Sequence, residues 1–451
     1  MNKDTEKIEK PGCLYKMFKA YVRFLHDKIY YKKTYVVNPE AVPADGTPCL
    51  IVSNHQNCMN DPLGLVTSFR HRKLHVITRA DVFMVSPVAD KFLRAIGLLP
   101  AFRLGYEGES ALGKNEETFR ASEQALIDGK TILMYPEAGH QDKRWLGIFK
   151  VTYLKMAFDA ASKMNFEQDV MILPSCNHYS NYFHARTDML IKFDKPISLK
   201  SYYERYKEQP REVMVEVNSL VRSRIQDMML HVSDLEHYDQ IDFLRETGYG
   251  KKYAREHGFK PNYLPSRLLS DQQLVDKMQK ATEERPEEME AIYSDTKSYA
   301  LGLKELGIRD WLFRHNPGIE APILRGLGLL LLLPLFIISI IPTCLMFIIP
   351  KLFIRKLIKD QMFVSSFNVG VSVFVSVPLC LIPPIVLLWV FCGFWWALGY
   401  FIAFPFMFIL AWNYMRLFLK FVGSCTFVRR KNRARITELR EQRKSIFERL
   451  D

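Results

Sequence analysis

Two stretches of this 451-residue chain stay uncharged for longer than a soluble protein tolerates. Twenty-five uncharged residues lie between Arg325 and Lys351, and 55 more between Asp360 and Arg416. Apolar runs above about 18 residues read as membrane segments rather than core helices. A wholly soluble protein is excluded, and so is long-range disorder. A helical crossing takes about 20 residues, so the longer run holds two crossings, expected at 369–391 and 393–415 with Cys392-Gly393 at the bend. The shorter run contains Pro334 and Pro342 and ends in Pro350. Prolines kink or end helices, so 326–350 is expected to bend and re-enter, with a single span as the alternative.

Charge follows this division. Of the formal net charge of +13, residues 321–451 carry +11 and residues 1–320 only +2. A nearly neutral soluble part argues against nucleic-acid binding. A cationic collar beside apolar spans fits anionic headgroups and the positive-inside rule. Residues 351–360 carry +3 and the tail 416–451 carries +7, so both are expected on the cytoplasmic side. None of the eight cysteines forms a CxxC pair, and no disulfide framework or zinc site is visible. The polar N-terminus is not followed by an apolar signal core. The expectation is an integral membrane protein, at an inner or cytoplasmic-face membrane, with a reducing, cytoplasmic catalytic part.

Five regions follow along the chain. Residues 1–47 hold a basic amphipathic helix, with Leu14, Met17, Phe18, Tyr21, Phe24 and Leu25 on one side, and a lead-in strand. That helix either lies on a membrane or packs on its own domain. Between 48 and 200, short β-rich runs (49–54, 74–79, 98–102, 131–137, 170–176 and 189–197) alternate with helical patterns near 62–71, 82–96, 111–128 and 147–163. This alternation predicts an α/β fold, a mixed sheet covered by helices. Residues 201–320 are a charged helical extension, with Ser270 and Gln273 as a capping box and Pro286 ending or kinking its helix. The membrane region, 321–415, and a basic cytoplasmic tail, 416–451, complete the chain.

Chemistry concentrates at strand ends. In SNHQNCMNDPLG (53–64), an apolar strand runs into Asn54-His55, and Asp61-Pro62 follows. Asp61 is expected to cap a helix that Pro62 begins. The loop can bring His55 and Asp61 together, and an imidazole held by a carboxylate is a general base for a hydroxyl. Alternatively, Asp61 only caps and His55 is a solvated loop residue. In MYPEAGHQDKR (134–144), a strand runs into Pro136-Glu137, followed by Gly139, His140, Lys143 and Arg144. Carboxyl ends of strands are where α/β sheets place ligand-binding residues. GLLPAFR (97–103) ends in Arg103, either a phosphate clamp or a surface charge. In ILPSC (172–176), a proline follows an apolar strand.

These four blocks, in this order, resemble the phospholipid/glycerol acyltransferase family. The resemblance spans roughly 48–200, through His55/Asp61, Gly97 to Arg103, Tyr135-Pro136-Glu137 and Val170 to Pro174. Five residues rather than the family's four separate His55 from Asp61, and Ala138-Gly139 follows Pro-Glu where the family has Gly directly. The longer loop resembles the branch acting on glycerol-3-phosphate and dihydroxyacetone phosphate, and the acceptor stays open.

The resemblance implies a membrane-bound O-acyltransferase of phospholipid synthesis. It moves a fatty acyl chain from acyl-CoA or acyl carrier protein to glycerol-3-phosphate or 1-acylglycerol-3-phosphate, with no metal or cofactor. His55 and Asp61 are implied to be catalytic, and Arg103 and Glu137 to bind the acceptor. Gly139, in the same turn, is counted with the substrate-binding residues, and Lys143, Arg144 and Lys150 are further phosphate candidates on spacing. The alternatives are a non-glycerol lyso-lipid acceptor, or a non-catalytic lipid-binding protein that keeps the fold.

Overall fold

The structure, a computed structural model, describes residues 12–69, 72–101, 110–137, 139, 143–358, 362–430 and 433–451. The chain divides into two compact units, residues 1–231 with 360–369, and residues 232–359 with 370–451.

The first unit opens with α1 (Cys13–Phe24), continued by a π turn over Leu25–Tyr30. Then come β1 (Lys33–Val37), β2 (Cys49–Ser53), α2 (Asn60–Ser68), β3 (Leu74–Arg79), α3 (Pro87–Ala95), β4 (Leu98–Ala101) and α4 (Ser110–Ile127). They are followed by β5 (Thr131–Met134), α5 (Thr152–Lys163), β6 (Met171–Tyr179), β7 (Asp188–Phe193), β8 (Ile197–Ser198), α6 (Tyr203–Glu208) and α7 (Pro210–Met228). Seven strands form one mixed sheet in the order β1-β7-β6-β2-β5-β3-β4, and β8 pairs with β6.

β2 pairs in parallel with β5 and with β6, whereas β6 and β7 run antiparallel. Every residue of β2, CLIVS, is buried. A near-continuous apolar run is what a central parallel strand covered on both faces requires. One side of that core is closed by α5 and by Val213, Val217, Val221 and Ile225 of α7. These four positions repeat at helical spacing, which explains why α7 folds with the sheet. Residues up to 231, α7 included, group with the sheet in the first unit.

On α1 the buried residues are Tyr15, Lys19 and Val22. The opposite face leaves Leu14, Met17 and Phe24 exposed, so only part of the apolar side read from the sequence faces out. Phe18 meets Phe92 of α3 edge-on at 5.0 Å, and Val85 and Val88 beside it are also exposed.

The second unit contains α8 (Tyr238–Glu246), α9 (Gly248–Glu256), α10 (Leu264–Glu284), α11 (Pro286–Leu306) and α12 (Trp311–His315). After them come α13 (Glu320–Leu357), α14 (Met362–Val371, which begins in the first unit), α15 (Val377–Cys392), α16 (Phe394–Arg430) and α17 (Ala434–Leu450). Ser270 caps nothing, because α10 starts six residues earlier with a proline in its first turn. Pro286 does separate two helices, as the first residue of α11.

Three helical segments, Glu320–Ile354, Phe363–Cys392 and Phe394–Arg430, are long and apolar enough to cross a membrane. Residues 326–350 are helical throughout, within α13. α13 runs unbroken through Pro334, Pro342 and Pro350. Each proline removes one backbone hydrogen bond, and an otherwise apolar helix absorbs three such losses spaced eight residues apart. The interruption falls in the next apolar stretch, as a π turn over Ser372–Ser376. α13 and α16 are antiparallel, since Phe336 stacks on Tyr414 and Phe347 on Phe408.

The basic tail is a packed helix. Tyr249 Oη donates to Leu450 O at 2.9 Å, Gln442 Nε2 donates to Asp295 O at 3.0 Å, and Arg443 pairs with Asp310 at 2.7 Å. Acidic residues of the extension thus absorb part of the tail's charge.

Candidate active site

The site lies at the carboxyl ends of the central strands. β2, β5 and β6 are mutually parallel, so the residues that follow β2 and β5 emerge on one edge of the sheet with Tyr179, the last residue of β6. Asn54 anchors the loop that leaves β2. Its Nδ2 donates to Asn177 O at 3.0 Å, and Asn177 N donates to its Oδ1 at 2.7 Å.

His55 and Asp61 meet. His55 Nδ1 lies 2.9 Å from Asp61 Oδ2. A carboxylate only accepts, so Nδ1 carries the proton and the Nε2 lone pair is the basic position. Asp61 is fully buried, and the His55 side chain is 21% exposed. Asp61 does not cap α2 as the sequence reading expected. The helix begins at Asn60, and the carboxylate turns back into the preceding loop. There Oδ2 also accepts from Gln56 N and Asn57 N, each at 2.8 Å, and Oδ1 accepts from Tyr179 Oη at 2.6 Å. The five-residue spacer leaves enough chain to fold over the helix start, with Cys58 in the left-handed region at φ 40°. Four donors compensate a charge that would otherwise be costly to bury.

Burial, and secondarily the Asp61 charge, raises the Tyr179 hydroxyl well above its ordinary pKa, so it remains a neutral donor. The Tyr135 ring stacks on His55 with centroids 4.3 Å apart and 24° between planes. Asp61 thus fixes the imidazole at its edge and Tyr135 at its face.

Glu137 follows β5 and is buried. Its Oε1 accepts from His55 N at 2.8 Å and its Oε2 from Gly147 N at 2.7 Å. Both oxygens therefore brace backbone. Burial raises this carboxyl to about 7, against the opposing pull of the two amides.

Arg144 is 2% exposed. Its guanidinium lies 4.6 Å above the Tyr182 ring and donates to Tyr179 O at 3.4 Å. Tyr182 Oη donates in turn to Gln56 Oε1. Gly139 and Lys143 are half-buried and Lys150 is exposed, all between β5 and α5. Arg103 and His140 lie outside the described residues.

The sequence reading missed Tyr179 because it ended the sixth strand at Cys176, three residues short. It also missed Gln56 and Tyr182, whose pairing joins positions 126 residues apart. Of Ser175 to Tyr179 only the tyrosine favours a strand, so composition gave no signal that β6 continues.

Residues 33–177 match the family model described as Acyltransferase. That is the activity the four sequence blocks implied. No curated protein matches the chain. A solved structure, the 1-acyl-sn-glycerophosphate (LPA) acyltransferase PlsC from Thermotoga maritima, is similar at 16% identity with a TM-score of 0.35. The similarity covers 48% of this chain and 79% of that one.

Proposed function

Because residues 33–177 form an acyltransferase-family domain, we propose that the chain is a membrane-bound O-acyltransferase. It transfers a fatty acyl group from a thioester donor, acyl-CoA or acyl carrier protein, to a hydroxyl of glycerol-3-phosphate or 1-acylglycerol-3-phosphate. The observation that carries this reading is the imidazole of His55 held at Nδ1 by buried Asp61.

In the proposed reaction, Nε2 takes the proton of the acceptor hydroxyl as its oxygen attacks the thioester carbonyl. The new C–O bond forms, and the C–S bond breaks as the tetrahedral intermediate collapses. The proton on Nε2 then passes to the departing thiolate. Asp61 keeps the tautomer and stabilises the imidazolium that forms midway. Glu137 acts by positioning, because its oxygens hold the His55 and Gly147 amides. Arg144 positions Tyr179 and Tyr182 in the same way. Contact with the acceptor phosphate is left to Arg103, on sequence alone, and to Lys143 and Lys150.

The membrane association rests on the three long apolar helices. Leu14, Met17, Val85 and Val88 extend the apolar surface of the first unit and suit the interface with an anionic leaflet. The donor is soluble in the cytoplasm, so the catalytic unit is assigned to the cytoplasmic face.

The test assays purified enzyme with labelled acyl-CoA and acyl carrier protein against a panel of glycerol-phosphate and other lyso-lipid acceptors. Wild type should acylate a phosphate-bearing glycerol acceptor. His55→Ala should fold normally and lose about 10²–10⁴ in rate, the usual contribution of a general base. A folded His55→Ala with near-normal turnover would refute the mechanism. Acylation of a phosphate-free acceptor alone would refute the assigned substrate.

A further inference from the structure

Asn57 and Asn60, which bracket the turn between His55 and Asp61, are wholly buried, and part of what buries them comes from far along the chain. The covering element is the start of α14, whose residues up to Val369 belong to the first unit. Ser366 Oγ donates to Asn57 O at 2.8 Å and accepts from Asn60 N at 3.2 Å. Ser365 Oγ accepts from Asn60 Nδ2 at 2.9 Å and lies 2.8 Å from Tyr30 Oη. Tyr30 Oη also lies 3.2 Å from Ser365 O. Ser365 and Ser366 are themselves buried, within a helix that is otherwise mostly apolar.

The hydroxyl of Ser366 thus closes the mouth of the turn. It holds the carbonyl of Asn57, while the N–H of the same residue donates to Asp61 Oδ2. One residue is therefore tied to the carboxylate on one side and to α14 on the other. Cys58, next in the chain, sits at φ 40°, a conformation that persists only where its surroundings hold it. Two adjacent serines on an apolar helix are costly to bury unless their hydroxyls are used, and both are used on this one turn.

We propose that Ser366, assisted by Ser365, is a positioning residue for acyl transfer, setting the distance between Asp61 and His55 from a segment outside the acyltransferase domain at 33–177. The proposal rests on the reading of His55 as the base. In it, the apolar helix that starts at Met362 is a working part of the catalytic loop and not only an anchor.

The experiment uses the full-length protein in bilayer nanodiscs, measuring kcat and both KM values for wild type, Ser366→Ala, Ser366→Thr, Ser365→Ala and His55→Ala. Removing the hydroxyl lets the turn relax, and a misplacement of about 1 Å at a catalytic group costs up to about 10²-fold. Ser366→Ala should therefore lose roughly tenfold to hundredfold in kcat, with both KM values within about twofold. Ser366→Thr keeps the hydroxyl and should restore most of kcat. Full kcat in folded Ser366→Ala overturns the proposal, as does a Thr variant no faster than Ala, or a loss carried by KM. If Ser366→Ala does not fold, Ser365→Ala decides. A smaller fall in kcat at constant KM upholds the proposal, and wild-type kcat overturns it. His55→Ala separates the two readings. If it remains active, the mechanism itself fails. If it is dead while Ser366→Ala is fully active, only the role of Ser366 fails.

Discussion

Glu137→Gln tests which force governs the carboxylate that ties two loops together. Its oxygens accept from His55 N at 2.8 Å and Gly147 N at 2.7 Å. Glutamine offers one carbonyl oxygen and one amino group, so one of the two backbone donors must face another donor. A buried donor left unpaired costs about 1–3 kcal/mol. The pH dependence separates this local loss from the carboxyl's titration. Burial raises Glu137 to about 7, above its ordinary value of 4.5. The folded state then holds the proton more tightly than the unfolded state. The stability so gained is complete below about pH 4.5 and fades as pH rises through about 7. Over that window one carboxyl linked in this way removes roughly 3 kcal/mol. Glutamine does not titrate, so the stability advantage of wild type over Glu137→Gln should shrink between pH 4.5 and 7. Thermal midpoints of both proteins, taken in the same detergent at half-unit intervals, measure it. An advantage that grows with pH would refute the reasoning, because the two amide donors would then outweigh burial and the carboxyl would ionise early.

Asp61→Asn should keep the fold, since its carbonyl can serve the Gln56 and Asn57 amides and its amino group can donate to Tyr179 Oη. It should nevertheless lose at least about a hundredfold in kcat, because the imidazole loses its charged partner; turnover within tenfold of wild type would contradict this. Tyr179→Phe deletes a hydrogen bond to a charged group, worth about 1.5–3 kcal/mol. The thermal midpoint should fall and kcat should drop less than in Asp61→Asn, and a variant as slow as Asp61→Asn would show that Tyr179 acts directly.

The central strands and the pairing of His55 with Asp61 were legible because each depends on local pattern. β3 runs from Leu74 to Arg79 as read, and the expected helix near 111–128 is α4, Ser110–Ile127. Contacts with distant partners were not legible. Glu137 has the position of a ligand-binding residue at a strand end, yet the amide of Gly147, ten residues on, occupies one of its oxygens. Arg144 has the composition of a phosphate clamp, yet two tyrosines of the β6 end enclose it. Ser270 and Gln273 satisfy a capping pattern inside a helix whose start was already fixed at Leu264-Pro265. α13 stays helical through its three prolines, so local propensity alone does not end a helix there.

The contact between Ser366 and Asn57 joins residues 309 apart. A ribosome adding about 5–20 residues per second needs roughly 15–60 s to travel that distance. During that interval the sheet, His55 and Asp61 have all been made, but the serine that closes their turn has not. The growing chain therefore carries a turn between His55 and Asp61 that lacks its contact with Ser366 until the start of α14 has emerged. On the proposed role of Ser366, acyl transfer at full rate begins only once the start of α14 has been made, and a chain cut short before Ser366 is expected to be a poor catalyst.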